Sequence, residues 1–308
     1  MKQAVLFAGQ GAQTVGMGRD LAEALPAVAA MFTQADETLG IPLSRVCFEG
    51  PEEELTKTSF CQPALYVHGF ALLQLCRERV PGFAFDAAAG LSLGEFTAHA
   101  AAGTFSFETG LRLVYERGRL MQEAVEATEG GMVALIGANE EQAVAIAQEA
   151  DVDAANFNAP GQIVLSGAAA NMPKVVAAAK AAGIKRAIPL KVAGAYHSRL
   201  MQSAQDGLVP FLDGAEMAAP NVPVMANVLG GPVAADGIRD ALKRQVTGSV
   251  RWEACIRALL DQGTERFVEL GPGGQLAGMI KRIDAGVPCL SIGTLAEFEE
   301  KKHELSGS

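Results

Sequence analysis

The stretch GLSLGEF, residues 90–96, constrains the fold of this chain more than any other part of the sequence. An apolar run leads into it and a helix-compatible run follows it. Glycines lie two residues before and two residues after Ser92, so a strand and a helix can approach closely and the serine can adopt strained backbone angles. The pattern predicts a strand ending at Gly90, a sharp turn at Ser92 and a helix from about Leu93, which together form a nucleophile elbow.

The elbow motif needs support from the rest of the chain, because a glycine-rich turn with an ordinary serine has the same pattern. A second glycine-rich loop, residues 9–13, follows a short buried-strand candidate at residues 4–8. Its glycines would let backbone N–H groups approach a ligand. The loop has neither the P-loop spacing nor the dinucleotide-binding spacing, which argues against a nucleotide site and leaves a tight strand-to-helix turn as the alternative.

Composition narrows the class of protein. At 308 residues and 49% hydrophobic, the chain can bury one large core, with or without an inserted smaller domain. A net charge of −10 without a Lys/Arg-rich run argues against a nucleic-acid or anionic-membrane surface. The five cysteines are scattered and never spaced as C-x-x-C, so the sequence predicts neither a metal site nor disulfides. Free cysteines favour a reducing, cytoplasmic location. The N-terminal apolar run is too short for a signal peptide or a membrane span.

The middle of the chain predicts an inserted domain. Strand, helix, strand, strand, helix and strand patterns follow one another, with Asn139 capping the first helix. This βαββαβ order predicts a ferredoxin-like small domain, residues 128–196. The β-then-α alternation before and after it predicts a larger α/β-hydrolase-like domain with a mostly parallel sheet, residues 1–127 and 197–308, and we expect a cleft between the two.

Other segments give simpler predictions. Residues 17–39 have a helical pattern, and residues 59–79 predict a buried apolar helix that starts near Pro63. Residues 221–228 predict a buried strand. The charged tail after Leu295 is expected to fray.

The histidines differ in their surroundings. His197 follows the predicted small domain in a glycine-led segment, which makes it the best candidate for a general base. His99 is a weaker candidate, because two helical turns carry it away from the Ser92 hydroxyl. His68 lies inside an apolar helix and is expected to be a core residue, whereas His303 in the charged tail is expected to be inert.

Several motifs occur together in one order: FAGQGAQ at 7–13, CQPAL at 61–65, GLSLGEF at 90–96, RGRLMQEA at 117–124, NFNAPGQIVLSG at 156–167, GAYHSRLM at 194–201, VRW at 250–252 and ELGPGGQL at 269–276. In these motifs and their spacing the chain resembles the malonyl-CoA:acyl carrier protein transacylases, which load malonyl groups for type II fatty acid synthesis. The resemblance extends from the N-terminus to about Ile292.

The resemblance implies the catalytic residues. Ser92 would be the nucleophile and His197 the base that takes its proton and later returns it to a thiol. The backbone N–H groups of Gln10 and Leu93 would form the oxyanion hole. A backbone carbonyl would orient the histidine in place of an aspartate, and the matching residue is Arg251.

The resemblance also implies how the acyl group is held. Arg117 would bind the malonyl carboxylate in a bidentate pair, and Gln62 would line the pocket. Periodicity alone does not separate Arg117 from its helix neighbours, since arginines on such a helix are usually solvated. Asn156 and Asn158 match substrate-side asparagines on the small domain.

The chain departs from the family pattern at several positions. Leu91 replaces the usual histidine before the nucleophile, which removes a polar group from beside Ser92. Three further positions differ, with Ala8 for proline, Cys61 for threonine and Gly274 for lysine. Tyr196 matches the large aromatic residue of malonyl-type relatives, whereas methylmalonyl-type relatives tend to have serine there.

The resemblance implies malonyl-CoA and acyl carrier protein as partners. It implies no permanently bound cofactor, because the carrier protein supplies the phosphopantetheine. It is compatible with a monomer. Because carrier proteins are acidic, we expect docking at a local basic patch, with the candidates Lys185, Arg186, Lys191 and Arg199. The alternatives are an acyltransferase that loads a polyketide carrier protein, a serine hydrolase, and a non-catalytic acyl-binding protein.

Overall fold

The computed structural model describes residues 1–305. The α-helices are α1 (Arg19–Ala24), α2 (Pro26–Leu39), α3 (Leu43–Glu49), α4 (Glu52–Thr56), α5 (Thr58–Arg79), α6 (Leu93–Ala101), α7 (Phe107–Glu126), α8 (Glu140–Ala150), α9 (Met172–Ala181), α10 (Gln202–Gly214), α11 (Ile238–Arg244), α12 (Trp252–Asp261), α13 (Gln275–Ile283) and α14 (Leu295–Leu305). The strands are β1 (Gln3–Phe7), β2 (Ala87–Gly90), β3 (Gly130–Ile136), β4 (Asp153–Ala159), β5 (Gln162–Ala168), β6 (Arg186–Pro189), β7 (Met225–Ala226), β8 (Gly231–Pro232), β9 (Arg266–Leu270) and β10 (Cys289–Ile292). None of the helices described is long and apolar enough to cross a membrane.

The described residues divide into two compact units. The elbow unit comprises residues 1–119, 214–225 and 259–305, and the histidine unit comprises residues 120–213 and 226–258. The elbow unit contains a parallel sheet and the histidine unit an antiparallel one. The predicted fold class is therefore confirmed. The exact domain bounds stay a prediction, although all four strands of the antiparallel sheet lie within residues 128–196.

The sheet of the elbow unit has the strand order β10-β9-β1-β2, and each neighbouring pair is parallel. Every residue of β1, β2 and β9 is buried. Strands covered on both faces are mostly apolar, as these are. Their polar residues, Gln3, Arg266 and Glu269, are buried and hydrogen-bonded. The sheet thus brings the carboxyl ends of β1, β2 and β9 to one edge, where the loops after them meet.

The sheet of the histidine unit has the order β4-β5-β3-β6 and is antiparallel throughout. With α8 and α9 between its strands, it forms the predicted ferredoxin-like unit. Helix α8 begins as predicted, since the Asn139 side chain accepts from the Gln142 N–H and the Gln142 side chain accepts from the Asn139 N–H. Residues of both helices pack with Leu135 and Leu165 in one core cluster.

Two helix predictions need correction. The helical pattern at 17–39 forms two helices, because Leu25 precedes a proline and takes extended angles that end α1. Helix α5 begins at Thr58 rather than near Pro63. The proline lies in the second turn, where its missing N–H removes only the bond to the Ser59 carbonyl.

The structure also differs from the sequence-based predictions at residues 221–228 and at the tail. Of the predicted strand, only Met225 and Ala226 are in a strand, β7, and Val224 forms an isolated parallel bridge with Ala88. The tail does not fray within the described residues, where α14 buries Phe298 and Leu305. These two apolar side chains anchor a segment whose other residues are mostly charged.

Candidate active site

The elbow has the predicted backbone. Strand β2 ends at Gly90, α6 begins at Leu93, and Ser92 between them has φ 53° and ψ −107°. Only three non-glycine residues among 1–305 have positive φ, namely Ser92, Asp151 and His197. Positive φ is costly for a residue with a Cβ and persists only where the surroundings enforce it.

Two glycines allow the elbow to close. A Cβ on Gly90 would lie 1.9 Å from the carbonyl carbon and oxygen of Gly94. A Cβ on Gly94 would lie 2.2 Å from the carbonyl oxygen of Phe7, at the end of β1. Because both obstacles are backbone atoms, no side-chain movement would relieve the clash. The close approach of β1, β2 and α6 therefore fixes the position of Ser92.

Arg117 lies beside the serine. It is 1% exposed, its Nη2 donates to Ser92 Oγ over 3.0 Å, and its Nη1 donates to Gln62 Oε1 over 2.7 Å. The next residue, Gly118, lets α7 approach α5, since a Cβ there would lie 2.4 Å from the carbonyl oxygen of Thr58. The structure thus brings Ser92, Arg117 and Gln62 together.

The electrostatics of Arg117 differ from those of its helix neighbours. Burial lowers the pKa of Arg117 to about 10, and the buried Glu95 opposes that shift. The guanidinium therefore remains cationic at neutral pH, and its central carbon lies 5.5 Å from the centre of the Phe96 ring. By contrast, Arg112 and Arg119 form ion pairs within α7 with solvent-accessible side chains. Arg117, in contrast to these surface arginines, is buried and donates to the serine hydroxyl.

The loop after β1 packs on the elbow. A Cβ on Gly9, the residue before Gln10, would lie 2.4 Å from the carbonyl oxygen of Leu91, so Gly9 packs closely against the elbow turn. The N–H of Leu93 is the first of α6, whose N-terminal N–H groups and dipole favour negative charge. The N-terminus of α6 therefore offers one backbone donor next to the serine, and an oxyanion hole needs such donors.

His197 lies in the histidine unit, in the segment between β6 and α10. It has φ 53° and is 5% exposed, and its Nδ1 lies 2.9 Å from the carbonyl oxygen of Gln245. A carbonyl only accepts, so Nδ1 carries the hydrogen and Nε2 keeps a lone pair. This tautomer is the one that a general base needs. His197 also lines a cavity of about 300 Å³, together with Asp153, Ala154, Arg199, Gln202, Thr247, Gly248 and Ser249.

The carbonyl that holds His197 corrects one assignment. The resemblance points to Arg251, but the acceptor of Nδ1 is Gln245. Arg251 instead pairs with Glu140 at 3.1 Å, and its guanidinium carbon lies 5.1 Å from the centre of the Phe157 ring. Sequence reasoning missed Gln245 because every residue has a carbonyl, and this one is 48 positions from the histidine.

The two asparagines lie on β4. Asn156 forms an isolated parallel bridge with Val250, and Asn158 is buried. Asn158 Oδ1 has no hydrogen-bond partner among the described residues. A buried polar atom without a partner is costly, so this oxygen is open to a donor from a ligand or water.

The other candidate histidines are core residues. His68 is fully buried, its Nε2 lies 3.0 Å from the Gly293 carbonyl oxygen, and burial lowers its pKa to about 4. His99 Nδ1 lies 3.0 Å from Thr104 Oγ1, and burial lowers its pKa to about 3. So low a pKa makes His99 a poor proton acceptor.

A half-buried serine at a nucleophile elbow, with a buried cation beside it, is suited to acyl transfer. A model of the acyl transferase domain family matches residues 5–297. The chain therefore belongs to the acyl transferase domain family.

Individual relatives are more specific. A malonyl CoA-acyl carrier protein transacylase of Bacillus subtilis is 40% identical over 297 residues, which are 94% of this chain and 93% of the relative. The crystal structure of an acyl-carrier-protein-S-malonyltransferase from Bartonella henselae has a TM-score of 0.93, with 38% identity and 99% of each chain covered. A malonyl-transacylase solved in complex with its type II polyketide acyl-carrier protein has the same TM-score and identity, and 99% of this chain and 100% of that chain are covered.

Proposed function

We propose that this chain transfers a malonyl group from malonyl-CoA to the phosphopantetheine thiol of an acyl carrier protein, through an acyl-enzyme on Ser92. The main support is the contact between Arg117 and Ser92, at 3.0 Å in a buried setting. A nucleophile beside a buried guanidinium suits an acyl group that ends in a carboxylate. The relatives named as malonyl transacylases support the same activity.

In the first half-reaction, Ser92 Oγ attacks the thioester carbonyl while His197 Nε2 takes the hydroxyl proton. The N–H groups of Gln10 and Leu93 stabilise the oxyanion that forms. When this intermediate collapses, the carbon–sulfur bond breaks and the imidazolium returns the proton to the CoA sulfur. In the second half-reaction the carrier thiol gives its proton to His197 and attacks the Ser92 ester, and the proton returns to Ser92 Oγ.

The malonyl carboxylate takes the place beside Arg117 in this scheme. Gln62 accepts from Nη1 and so fixes the plane of the guanidinium. A guanidinium presents N–H donors in a fork that matches the two oxygens of a carboxylate, whereas an acetyl group offers Arg117 no carboxylate to bind. Arg117 therefore selects malonyl over acetyl. We assign Asn156 and Asn158 to the substrate side of the histidine unit, with Asn158 Oδ1 open to a donor.

The acyl carrier protein belongs, in our proposal, to fatty acid synthesis in the cytoplasm. The five cysteines are free thiols, which fits a reducing compartment. The relative solved with a type II polyketide carrier protein supports polyketide loading as a second candidate. Both pathways use the same chemistry at Ser92 and differ in the carrier protein.

Carrier docking would use the exposed edge strand β6. Lys185, Arg186 and Lys191 are exposed on or beside this strand. Arg199 is less available, because it pairs with Asp151 at 2.8 Å and with Asp153 at 3.2 Å. Exchanging Lys185 and Arg186 for glutamate should raise KM for an acidic carrier protein and leave KM for malonyl-CoA unchanged. The matched control exchanges Lys174 and Lys180 on α9 for glutamate. If both double variants changed KM for the carrier protein equally, docking would be elsewhere.

A pulse and chase with malonyl-CoA labelled in the malonyl group tests the function. The wild-type protein should retain one label, resist water, and release the label to the thiol of a carrier protein. Ser92→Ala should retain none, because the elbow then has no nucleophile. Rapid loss of label to water would favour a serine hydrolase, and the absence of any covalent label would favour a non-catalytic acyl-binding protein. Comparison of fatty acid and polyketide carrier proteins as acceptors separates the two pathways.

A further inference from the structure

The loop after β1 is a tight turn from Gly9 to Ala12. The Ala12 N–H donates to the Gly9 carbonyl over 3.3 Å, and Gly11 has φ 101°. Gln10 is not among the non-glycine residues with positive φ. A four-residue turn with positive φ only at its third residue is a type II turn, which strongly favours glycine there.

Type II and type I turns differ in the orientation of the central peptide, which here joins Gln10 to Gly11. One side chain holds that peptide. The Gly11 N–H donates to Gln13 Oε1 over 2.7 Å, and the same oxygen lies 3.2 Å from Cys61 Sγ on α5. Gln13 therefore fixes the orientation of the central peptide and also ties the turn to the helix that carries Gln62.

A second glutamine holds the other side of Gly11. Gln275 Nε2 donates to the Gly11 carbonyl oxygen over 2.9 Å. Gln275 is the first residue of α13, which is itself fixed to the sheet by the buried Glu269. The Glu269 carboxylate accepts from the N–H groups of Leu276 and Ala277, at 3.0 and 2.9 Å.

Glu269 belongs to β9, where it is paired with Leu6 of β1. The strand that leads into the turn and the helix that supplies Gln275 are therefore held by the same part of the sheet. Glu269 and Gln275 both lie in the ELGPGGQL segment.

We propose that Gln13 and Gln275 are positioning residues, which hold the peptides on either side of Gly11 and so keep the turn closed. In the closed turn the Gly9 carbonyl accepts from the Ala12 N–H, which fixes the Gly9–Gln10 peptide and thereby sets the direction of the Gln10 N–H. The proposal rests on the proposed function, in which that N–H stabilises the oxyanion. Neither glutamine is assigned a contact with the substrate, so both act through the turn.

A misdirected donor should slow the reaction more than it weakens substrate binding. Loss of an oxyanion-hole donor costs on the order of 10²–10³ in kcat, and a displaced donor loses part of that. We therefore expect Gln13→Leu to lower the rate of Ser92 acylation by about 10- to 100-fold, with KM for malonyl-CoA nearly unchanged. Gln275→Leu should lower it less, by about three- to tenfold, because the central peptide keeps its bond to Gln13.

The polarity of the two bonds gives a sharper experiment. Gln13 accepts a hydrogen bond and Gln275 donates one, so substitution by glutamate should have opposite results. Gln13→Glu keeps an acceptor for the Gly11 N–H and should acylate within about threefold of wild type, well below the loss of a donor. Gln275→Glu replaces the donor by an acceptor facing a carbonyl and should be at least as slow as Gln275→Leu. Single-turnover acylation is measured for each variant, with thermal midpoints as a check of folding.

Gln34→Leu is the matched control, since Gln34 is an exposed glutamine on α2 of the same unit. It should acylate at the wild-type rate. If both leucine variants also acylated at the wild-type rate, or if both glutamate variants behaved alike, the positioning role would be wrong. That result would leave the Ser92 acyl-enzyme intact, whereas failure of the proposed function would appear as absence of label in the wild-type protein. Gln275 is exposed, so its variants should fold and still test the proposal even if Gln13→Leu does not fold.

Discussion

Ser92 and His197 both have φ 53°, but different forces hold them in that conformation. At Ser92 the chain is confined by neighbouring backbone, which approaches Gly90 and Gly94 so closely that neither position has room for a Cβ. At His197 the histidine ring donates to the Gln245 carbonyl, and Ser198 Oγ both donates to the Ala195 carbonyl over 2.6 Å and accepts from the Leu200 N–H over 3.2 Å. The elbow is fixed by steric exclusion and the histidine segment by hydrogen bonds, so the two should respond differently to substitution.

Gly94→Ala should have the largest effect on the molecule. The added methyl group would lie 2.2 Å from the Phe7 carbonyl oxygen, and backbone cannot move away as a side chain can. We expect a loss of about 3 kcal/mol or more in the free energy of unfolding, at or above the upper end for overpacking, together with loss of Ser92 acylation. Denaturant unfolding and malonyl labelling measure the two effects.

Gly278→Ala is the control for that change. Gly278 lies inside α13, and a Cβ there would meet nothing within 4 Å. Alanine should therefore stabilise the helix by up to about 1 kcal/mol without altering acylation. If Gly94→Ala were as mild as Gly278→Ala, steric exclusion at the elbow would not be what holds Ser92.

His197→Ala should come next in size. It removes the proposed base but leaves the elbow intact, so acylation should slow by about 10²- to 10⁴-fold while Ser92 can still be labelled slowly. Rapid-quench labelling with malonyl-CoA measures the rate. His99→Ala is the comparison, and per folded molecule it should acylate normally. A normal rate for His197→Ala with a severe defect in His99→Ala would mean that the base is misassigned.

Ser198→Ala should have the smallest effect of the three. It removes two hydrogen bonds beside His197 but leaves the Gln245 carbonyl in place, and a hydrogen bond contributes about 1 kcal/mol. We expect at most a tenfold slower acylation and a loss of about 1–2 kcal/mol in the free energy of unfolding. Ser106→Ala removes a similar pair of bonds at the start of α7 and should lower stability without slowing acylation. Equal rates for the two variants would argue against a positioning role for Ser198.

The same difference explains what could be predicted from the sequence. The elbow was predictable because its requirements are local, with two glycines at fixed distances from one serine. The βαββαβ order was predictable because each element has its own hydrophobic period. The Asn139 cap was equally local.

The rest depends on contacts between distant segments. Gln245 could not be identified, because a backbone carbonyl leaves no mark on residue type. Burial distinguishes Arg117 from Arg112 and Arg119, but the helical period alone leaves all three as surface cations. The C-terminal helix was missed since only two of its residues, Phe298 and Leu305, are buried. Local patterns gave the elements, whereas the partners of each side chain came only from the structure.

The central claim is that Ser92 and Arg117 form one site that recognises a carboxylated acyl group. If so, removing the cation should change which acyl group is accepted, and not merely how fast the serine reacts. Breaking one partner of a buried charge pair costs roughly 2–5 kcal/mol, or about 30- to several-thousand-fold in kcat/KM. Arg112→Ala and Arg119→Ala on the same helix should retain the malonyl preference, since both arginines have solvent-accessible partners within α7.

The most direct measurement is the ratio of kcat/KM for malonyl-CoA to that for acetyl-CoA in Arg117→Ala. We predict that kcat/KM for malonyl-CoA falls at least about 30-fold, while that for acetyl-CoA is unchanged or improved because the acetyl group has no carboxylate to pair with Arg117. The ratio should therefore fall by at least the same factor. A ratio within about threefold of wild type would contradict the role of Arg117 in binding the carboxylate. Such a change is well below the tenfold that about 1.4 kcal/mol represents.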